Sequence, residues 1–343
     1  SGKVKLLDHT TTFSGTTSGD AELHVAGGTA AFTGTHSGTG KLSLASGTVT
    51  SSGSGAASFG SLDWQGGSVD GKITSNGNSA ASGTDAKTIG TAGELTLAGA
   101  TTNTWAGGTI TNQGKLNQNA GSTDIRTAFN NSGSVNANGG TLTFSGGGSS
   151  SGTLSVGSGA EVQIATADFA ITGGAINGSN GKVKLQSAVT TFTNATSGDT
   201  ELAVAGGTAR FDGTHNGTGK LSVASGTVSG TGTASFGSLD FTGGTLSAKV
   251  TSNGATALTG SARTLAGGEL TLNGNTAWDG SPISASGAAR IQNNAGKTFS
   301  ANADGLLANS GTAAGKNVVT FTKSAGASNG ATEIQAVFDN TGT

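Results

Sequence analysis

The sequence predicts an all-β chain: a right-handed parallel β-helix (β-solenoid) with about 19–20 residues in each coil. Three observations carry this expectation. Ser18–Val49 returns almost unchanged at Ser197–Val228. Apolar-x-apolar pairs recur at a spacing of 19 residues inside each copy. The composition holds 63 glycines, with apolar residues at 33% and charged residues at only 10%.

The short period gives the coil. Val4 and Leu6 align with Leu23 and Val25, and these with Leu42 and Leu44. The second copy repeats the series as Val183 and Leu185, Leu202 and Val204, Leu221 and Val223. Phe13 aligns with Phe32, and Phe192 with Phe211. Each line holds an apolar-x-apolar pair, a Gly-Gly-Thr or Ser-Gly-Thr turn, a second short apolar stretch and a glycine-rich corner. Alternation within a pair sends one side chain in and the next out. A turn-punctuated period near twenty is the signature of coils that bury their apolar faces only by stacking on one another. Leu23, Val25, Phe32, Leu42 and Leu44 are therefore expected inside. About 18 such coils at the strand spacing of ~4.8 Å would make a rod roughly 85 Å long.

Composition excludes other classes. The chain is too polar for a thick globular core, for which about 45–50% apolar and 25% charged residues are usual. It is too weakly charged for an ordinary disordered chain. A thin core remains, with serine, threonine, asparagine and glycine at corners and outside. The net charge of −2 leaves no basic footprint for nucleic acid. No run of about 20 apolar residues is present, so no membrane span is expected. No cysteine occurs, which excludes disulfides and thiol chemistry and fits a secreted bacterial protein.

The long period divides the chain. Gly2–Leu6 matches Gly181–Leu185, and about 35 of the first 50 residues are identical to their partners. The offset shrinks from 179 there to 177 at Phe59/Phe236 and 173 at Trp105/Trp278, so deletions fall at corners, where loops tolerate them. Copy one spans 1–179 and copy two 180–343, expected to stack as one continuous rod. Ala128–Ser134 reappears at Val337–Thr343, and the counterpart of Val135–Ser179 is missing, which points to a longer parent polypeptide.

An aromatic-turn motif recurs as Trp64-Gln65-Gly66-Gly67, Phe241-Thr242-Gly243-Gly244, Trp105-Ala106-Gly107-Gly108 and Trp278-Asp279-Gly280-Ser281. The rings are expected inside the coil with glycines making the corner. The alternative is an exposed ring that stacks on a sugar.

The carboxylates are the first catalytic candidates, because a glycoside hydrolase needs two acids roughly 5–9.5 Å apart across the bond. The recurring acids are Asp20, Glu22, Asp63 and Glu94, with Asp199, Glu201, Asp240 and Glu269 in copy two. Lys3 and Lys41 flank Glu22 at minus and plus 19, and Lys182 and Lys220 flank Glu201. Such a column pairs opposite charges across neighbouring strands and accounts for these acids without catalysis. No catalytic, cofactor-binding or metal-binding residue is assigned, and the chain is expected not to be an enzyme. His36 and His215 occupy equivalent Gly-Thr-His positions with no second ligand at zinc spacing, and are expected to be solvated turn residues. Thr10, Thr29 and Thr48 form one outer column, and Thr12, Ala31 and Thr50 another. Flat threonine arrays suggest ice binding, but copy two breaks them with Val189, Arg210 and Ser229.

Lines such as Gly93–Gly99 (GELTLAG), Gly140–Phe144 (GTLTF) and Phe129–Gly133 (FNNSG) resemble the repeats of very large secreted bacterial surface proteins. The whole chain resembles the β-helical shafts of filamentous-haemagglutinin-like adhesins exported by two-partner secretion, among them biofilm matrix adhesins that bind exopolysaccharide. The resemblance implies an extracellular shaft at the cell surface or in the biofilm matrix. Its implied partners are exopolysaccharide or a cell-surface glycan, neighbouring adhesin molecules, and an outer-membrane transporter for the parent protein. It implies no particular ligand-binding residue. The competing readings are a β-helical polysaccharide lyase or hydrolase and an ice-binding solenoid.

Overall fold

In a computed structural model the described residues are 2–178 and 180–310, with 314–317, 320–323, 331–334 and 337–340. Among them there is no helix, and every paired strand runs parallel to its neighbour. The chain divides into two compact units, Ser1–Phe169 and Ala170–Thr343. The boundary lies ten residues before Asn180, where the sequence repeat begins. Ser179, at the end of copy one, and Thr341–Thr343, at the end of the recurrence of Ala128–Ser134, lie outside the described residues.

Each unit is a three-sided β-solenoid. In the first unit a coil opens on the first sheet with Lys3–Leu6, crosses to the second with Thr10–Phe13 and closes on the third with Thr17–Gly19. The next coil repeats this as Glu22–Val25, Thr29–Phe32 and Thr35–Gly38. Register follows the sequence period: Lys3 to Leu6 lie opposite Glu22 to Val25, and Thr10 to Phe13 opposite Thr29 to Phe32. The second unit repeats the register, with Lys182 to Leu185 opposite Glu201 to Val204.

Most strands of three or four residues alternate between inside and outside, as in Glu22–Val25 and Thr29–Phe32, as a pleated backbone requires. Val25, Leu42 and Leu44 are fully buried, and Leu23 and Phe32 nearly so. The core is a stack of like on like. Phe13 lies 4.8 Å from Phe32 at 16°, and Phe192 lies 4.5 Å from Phe211 at 19°. Trp64, Trp105, Trp278 and Phe241 are all buried, so the aromatic-turn motif packs inward and offers no ring to solvent. Ala81 sits between Trp64 and Trp105 in register, and its small side chain lets the two indoles meet edge to face at 5.9 Å. The glycines of the motif turn the corner: Gly67 has φ +78°, and a Cβ there would fall 2.1 Å from the Gly47 carbonyl oxygen.

The coils number about 16 rather than 18. A step of 19 holds over the first coils of each copy and returns from Ile110 to Thr153, but it is broken between these runs. Leu62 lies opposite Ser79, a step of 17, while Ala80 lies opposite Thr104, a step of 24. Corners absorb these differences while the strands keep their inward alternation.

The core is also less purely apolar than the composition suggests. Asn112, Asn131 and Ser150 are buried in the first unit. Their side chains form a ladder from coil to coil, with Asn112 donating to Asn131 at 2.7 Å and Asn131 to Ser150 at 2.9 Å. Stacking in register lets each amide NH₂ find an acceptor in the next coil, which offsets part of the cost of burying these groups, while the Asn112 Oδ1 at the head of the ladder has no partner.

Candidate functional site

The outward face of the second sheet carries an uncharged column. In the first unit Thr10, Thr29, Thr48, Ser68, Thr88, Thr111, Asn130 and Ser149 lie opposite one another strand by strand. In the second unit the series is Val189, Thr208, Thr227, Thr245, Thr264 and Ser284. Thr10 is exposed and the others from Thr29 to Ser149 half-buried, so each presents its polar end outward from a position that β-branched residues favour. Parallel strands repeat these hydroxyls and amides about every 4.8 Å. In the first unit a period of 19 links Thr10, Thr29 and Thr48, and separately Thr111, Asn130 and Ser149, but does not join the two runs. The rest become visible once the irregular corners are known.

The charged columns lie elsewhere. On the first sheet Glu22 Oε1 is 3.2 Å from Lys3 Nζ and 3.7 Å from Lys41 Nζ, and Ser43 donates to it at 2.7 Å. The Ser43 hydroxyl, with Lys3 and Lys41, outweighs partial burial and holds the Glu22 pKa down at about 2. Glu201 repeats the arrangement, 3.8 Å from Lys182 and 3.7 Å from Lys220, with Ser222 donating at 2.7 Å. A second column on the third sheet sets Glu94 between Lys72 and Lys115, and Glu269 between Lys249 and Arg290. Its steps of 21 and 22 residues in the first unit hide it from a fixed period.

The remaining acids of the sequence reading do not converge. Asp63 accepts from Gln65 at 3.0 Å, and Asp240 accepts from Lys220 at 3.0 Å. No group of three or more histidine, aspartate or glutamate side chains is placed to hold a metal ion among the described residues.

Two expectations about single residues are corrected. His36 and His215 are not solvated turn residues. They lie in the third-sheet strands Thr35–Gly38 and Thr214–Gly217 and point into the core. His215 is 4% exposed, packs 4.9 Å from Phe236 and 5.7 Å from Phe211, and pairs through Nδ1 with Thr196 Oγ1 at 2.9 Å. Burial pushes its pKa down to about 4, and pushes that of His36 in the same direction. The alternation of Thr-His-Asn-Gly places the ring inside, and the Gly-rich context concealed it.

The sequence reading also missed two buried cations. Lys87 and Arg263 are fully buried at equivalent places on the second sheet, opposite Gly67 and Gly244. Each closes an aromatic corner from within. Lys87 Nζ donates to the carbonyls of Asp85 at 2.9 Å and Gly107 at 2.6 Å. Arg263 donates to the Ser281 carbonyl at 2.7 Å, which also accepts from Trp278 Nε1 at 2.8 Å. They are structural: a cation gathers corner carbonyls that would otherwise be buried without donors.

No family model, curated protein or solved structure matches this chain.

Proposed function

We propose that this chain is shaft length of an extracellular bacterial adhesin, which holds cells to one another or to a biofilm matrix without chemical turnover. The observation that carries the reading is the uncharged hydroxyl and amide column, repeated at one position per coil in the first copy and resumed in the second from Thr208 onward, after Val189. Hydroxyl and amide side chains complement sugar hydroxyls, and their neutrality suits a neutral exopolysaccharide better than a nucleic acid. A contact too weak to hold alone gains by effective concentration when it recurs along one chain. A solenoid also lengthens by duplication, because each coil contacts only its neighbours. Export unfolded through an outer-membrane transporter agrees with a cysteine-free chain that folds coil by coil.

The test is retention of purified protein on immobilised exopolysaccharide from the producing cells. One copy should bind weakly and tandem copies progressively more tightly. Affinity that does not change with copy number would refute the repeated-contact reading. Cells lacking the parent gene should aggregate less and form less cohesive biofilm.

A further inference from the structure

The outer face of the first sheet is not flat in the second unit. The strands Ser238–Phe241, Thr256–Leu258, Thr276–Trp278 and Thr298–Ala301 lie side by side there. Their outward column reads Asp240, Ala257, Ala277, Ser300. The two alanines leave a groove of about 490 Å³ between the taller ends of the column. That volume is within the range of roughly 300–1,000 Å³ usual for small-molecule sites. Four parallel strands make it about 14 Å long.

The first unit carries other residues at these places. Its column reads Asp63, Ala80, Thr104, Asp124. Arg126 stands where the second unit has Asn302, each donating its N–H to a tryptophan carbonyl, Trp105 at 2.7 Å and Trp278 at 2.8 Å. Arg126 Nε lies 2.6 Å from Asp124 Oδ2. A threonine and an ion pair thus stand in the first unit where the second unit has Ala277, Ser300 and Asn302.

We propose that this groove is a subsite for a neutral acetamido sugar, an N-acetylhexosamine residue of a polysaccharide; the proposal rests on the adhesin reading and gives it a defined contact. The floor is made of methyl groups from Ala255, Ala257 and Ala277. It suits the methyl of an acetamido group. A bare pyranose face would be better served by an aromatic ring, and Phe241 and Trp278 are both buried on the other side of the sheet. The rim supplies both halves of an amide's hydrogen bonding. Asn275 Oδ1 accepts from the Thr298 N–H at 3.2 Å, which leaves its NH₂ to donate to a ligand carbonyl. Asp240 provides a carboxylate to accept an N–H or hydroxyl. Charge complementarity points to the same class. The Lys220 ammonium, 3.0 Å from Asp240, balances the carboxylate. An anionic uronate or phosphate would still meet Asp240 at the rim, whereas a neutral amide meets no net charge.

The experiment is saturation-transfer NMR and titration of the whole chain with triacetylchitotriose, and with cellotriose as the sugar lacking acetamido groups. Saturation should reach the acetyl methyl protons, and the acetylated sugar should bind at least tenfold more tightly than cellotriose. Ala277→Thr, with Ser300→Asp and Asn302→Arg, installs the first unit's residues and should weaken binding at least tenfold. Ala277→Thr alone, a β-favouring change on an outer position, serves if the triple variant misfolds, with circular dichroism as the check on folding. Equal binding of the two sugars, binding unaffected by these variants, or no binding of the acetylated sugar would overturn the proposal. If the acetylated sugar fails but tandem copies still bind exopolysaccharide, the groove is refuted and the adhesin reading stands. If the groove binds but loss of the parent gene leaves aggregation unchanged, the adhesin reading fails and the subsite remains.

Discussion

Acidification should loosen the second unit locally at His215. The ring is 4% exposed, lies among Phe192, Phe211 and Phe236, and has a pKa held down at about 4 by burial. The unfolded chain takes up a proton at the ordinary histidine value near 6.5, and the folded chain does not until about 4. Between these values the unfolded state holds more protons, so stability falls as pH falls. The slope approaches about 1.4 kcal/mol per pH unit, and the full window removes about 3 kcal/mol, with no further loss from this group below pH 4. A solenoid need not unfold in one step. The suitable assay is therefore hydrogen exchange of the strands Thr208–Phe211, Thr214–Gly217 and Thr233–Phe236, corrected for the intrinsic pH dependence of exchange. Protection there should drop between pH 6.5 and 4. His215→Phe keeps a ring in the stack, leaves Thr196 without its partner, and should remove the pH dependence while costing about 1–3 kcal/mol at neutral pH. The reasoning is refuted if protection does not change across the window, if the phenylalanine variant shows the same drop, or if the His215 ring titrates near 6.5.

Other perturbations separate surface from core. Glu22→Gln should cost under about 1 kcal/mol, because the amide oxygen can still accept from Ser43 and the two lysine pairs are largely exposed; a loss of several kcal/mol in a denaturation midpoint would contradict this. The Glu22 carboxylate should contribute its full stabilisation above pH 4.5 and lose it as pH falls toward 2, a window below that of His215. Trp105→Ala empties a fully buried site beside Trp64 and should cost about 3–5 kcal/mol, read as a shift in the denaturant midpoint of the first unit. Incubation with bacterial and plant polysaccharides should yield no new reducing ends or unsaturated products; turnover that disappears on mutating Asp63 or Asp240 would overturn the non-catalytic reading.

The inward alternation and the first charged column were legible because both follow from side-chain period and from a repeat length that stays at 19 over the opening coils. Leu23, Phe32 and the Lys3–Glu22–Lys41 series needed nothing more. Legibility failed where corner length changes. The Glu94 and Glu269 columns and the rest of the threonine column depend on steps of 18 to 23 residues that only the strand register discloses. It failed also where a polar residue takes an inward place. His215, Asn131, Lys87 and Arg263 read as surface residues by type, and only the neighbouring coil shows the partner that satisfies each. The groove at Ala257 and Ala277 was hidden for a related reason, since its walls come from coils 17 to 23 residues away.

The most direct test of the central claim is aggregation of cells whose surface protein carries zero, one, two or four copies of this repeat at equal expression. Aggregation and attachment should be lowest without the repeat and rise with each doubling, as expected for weak contacts made once per coil. Aggregation that is unchanged when every copy is deleted would contradict the account.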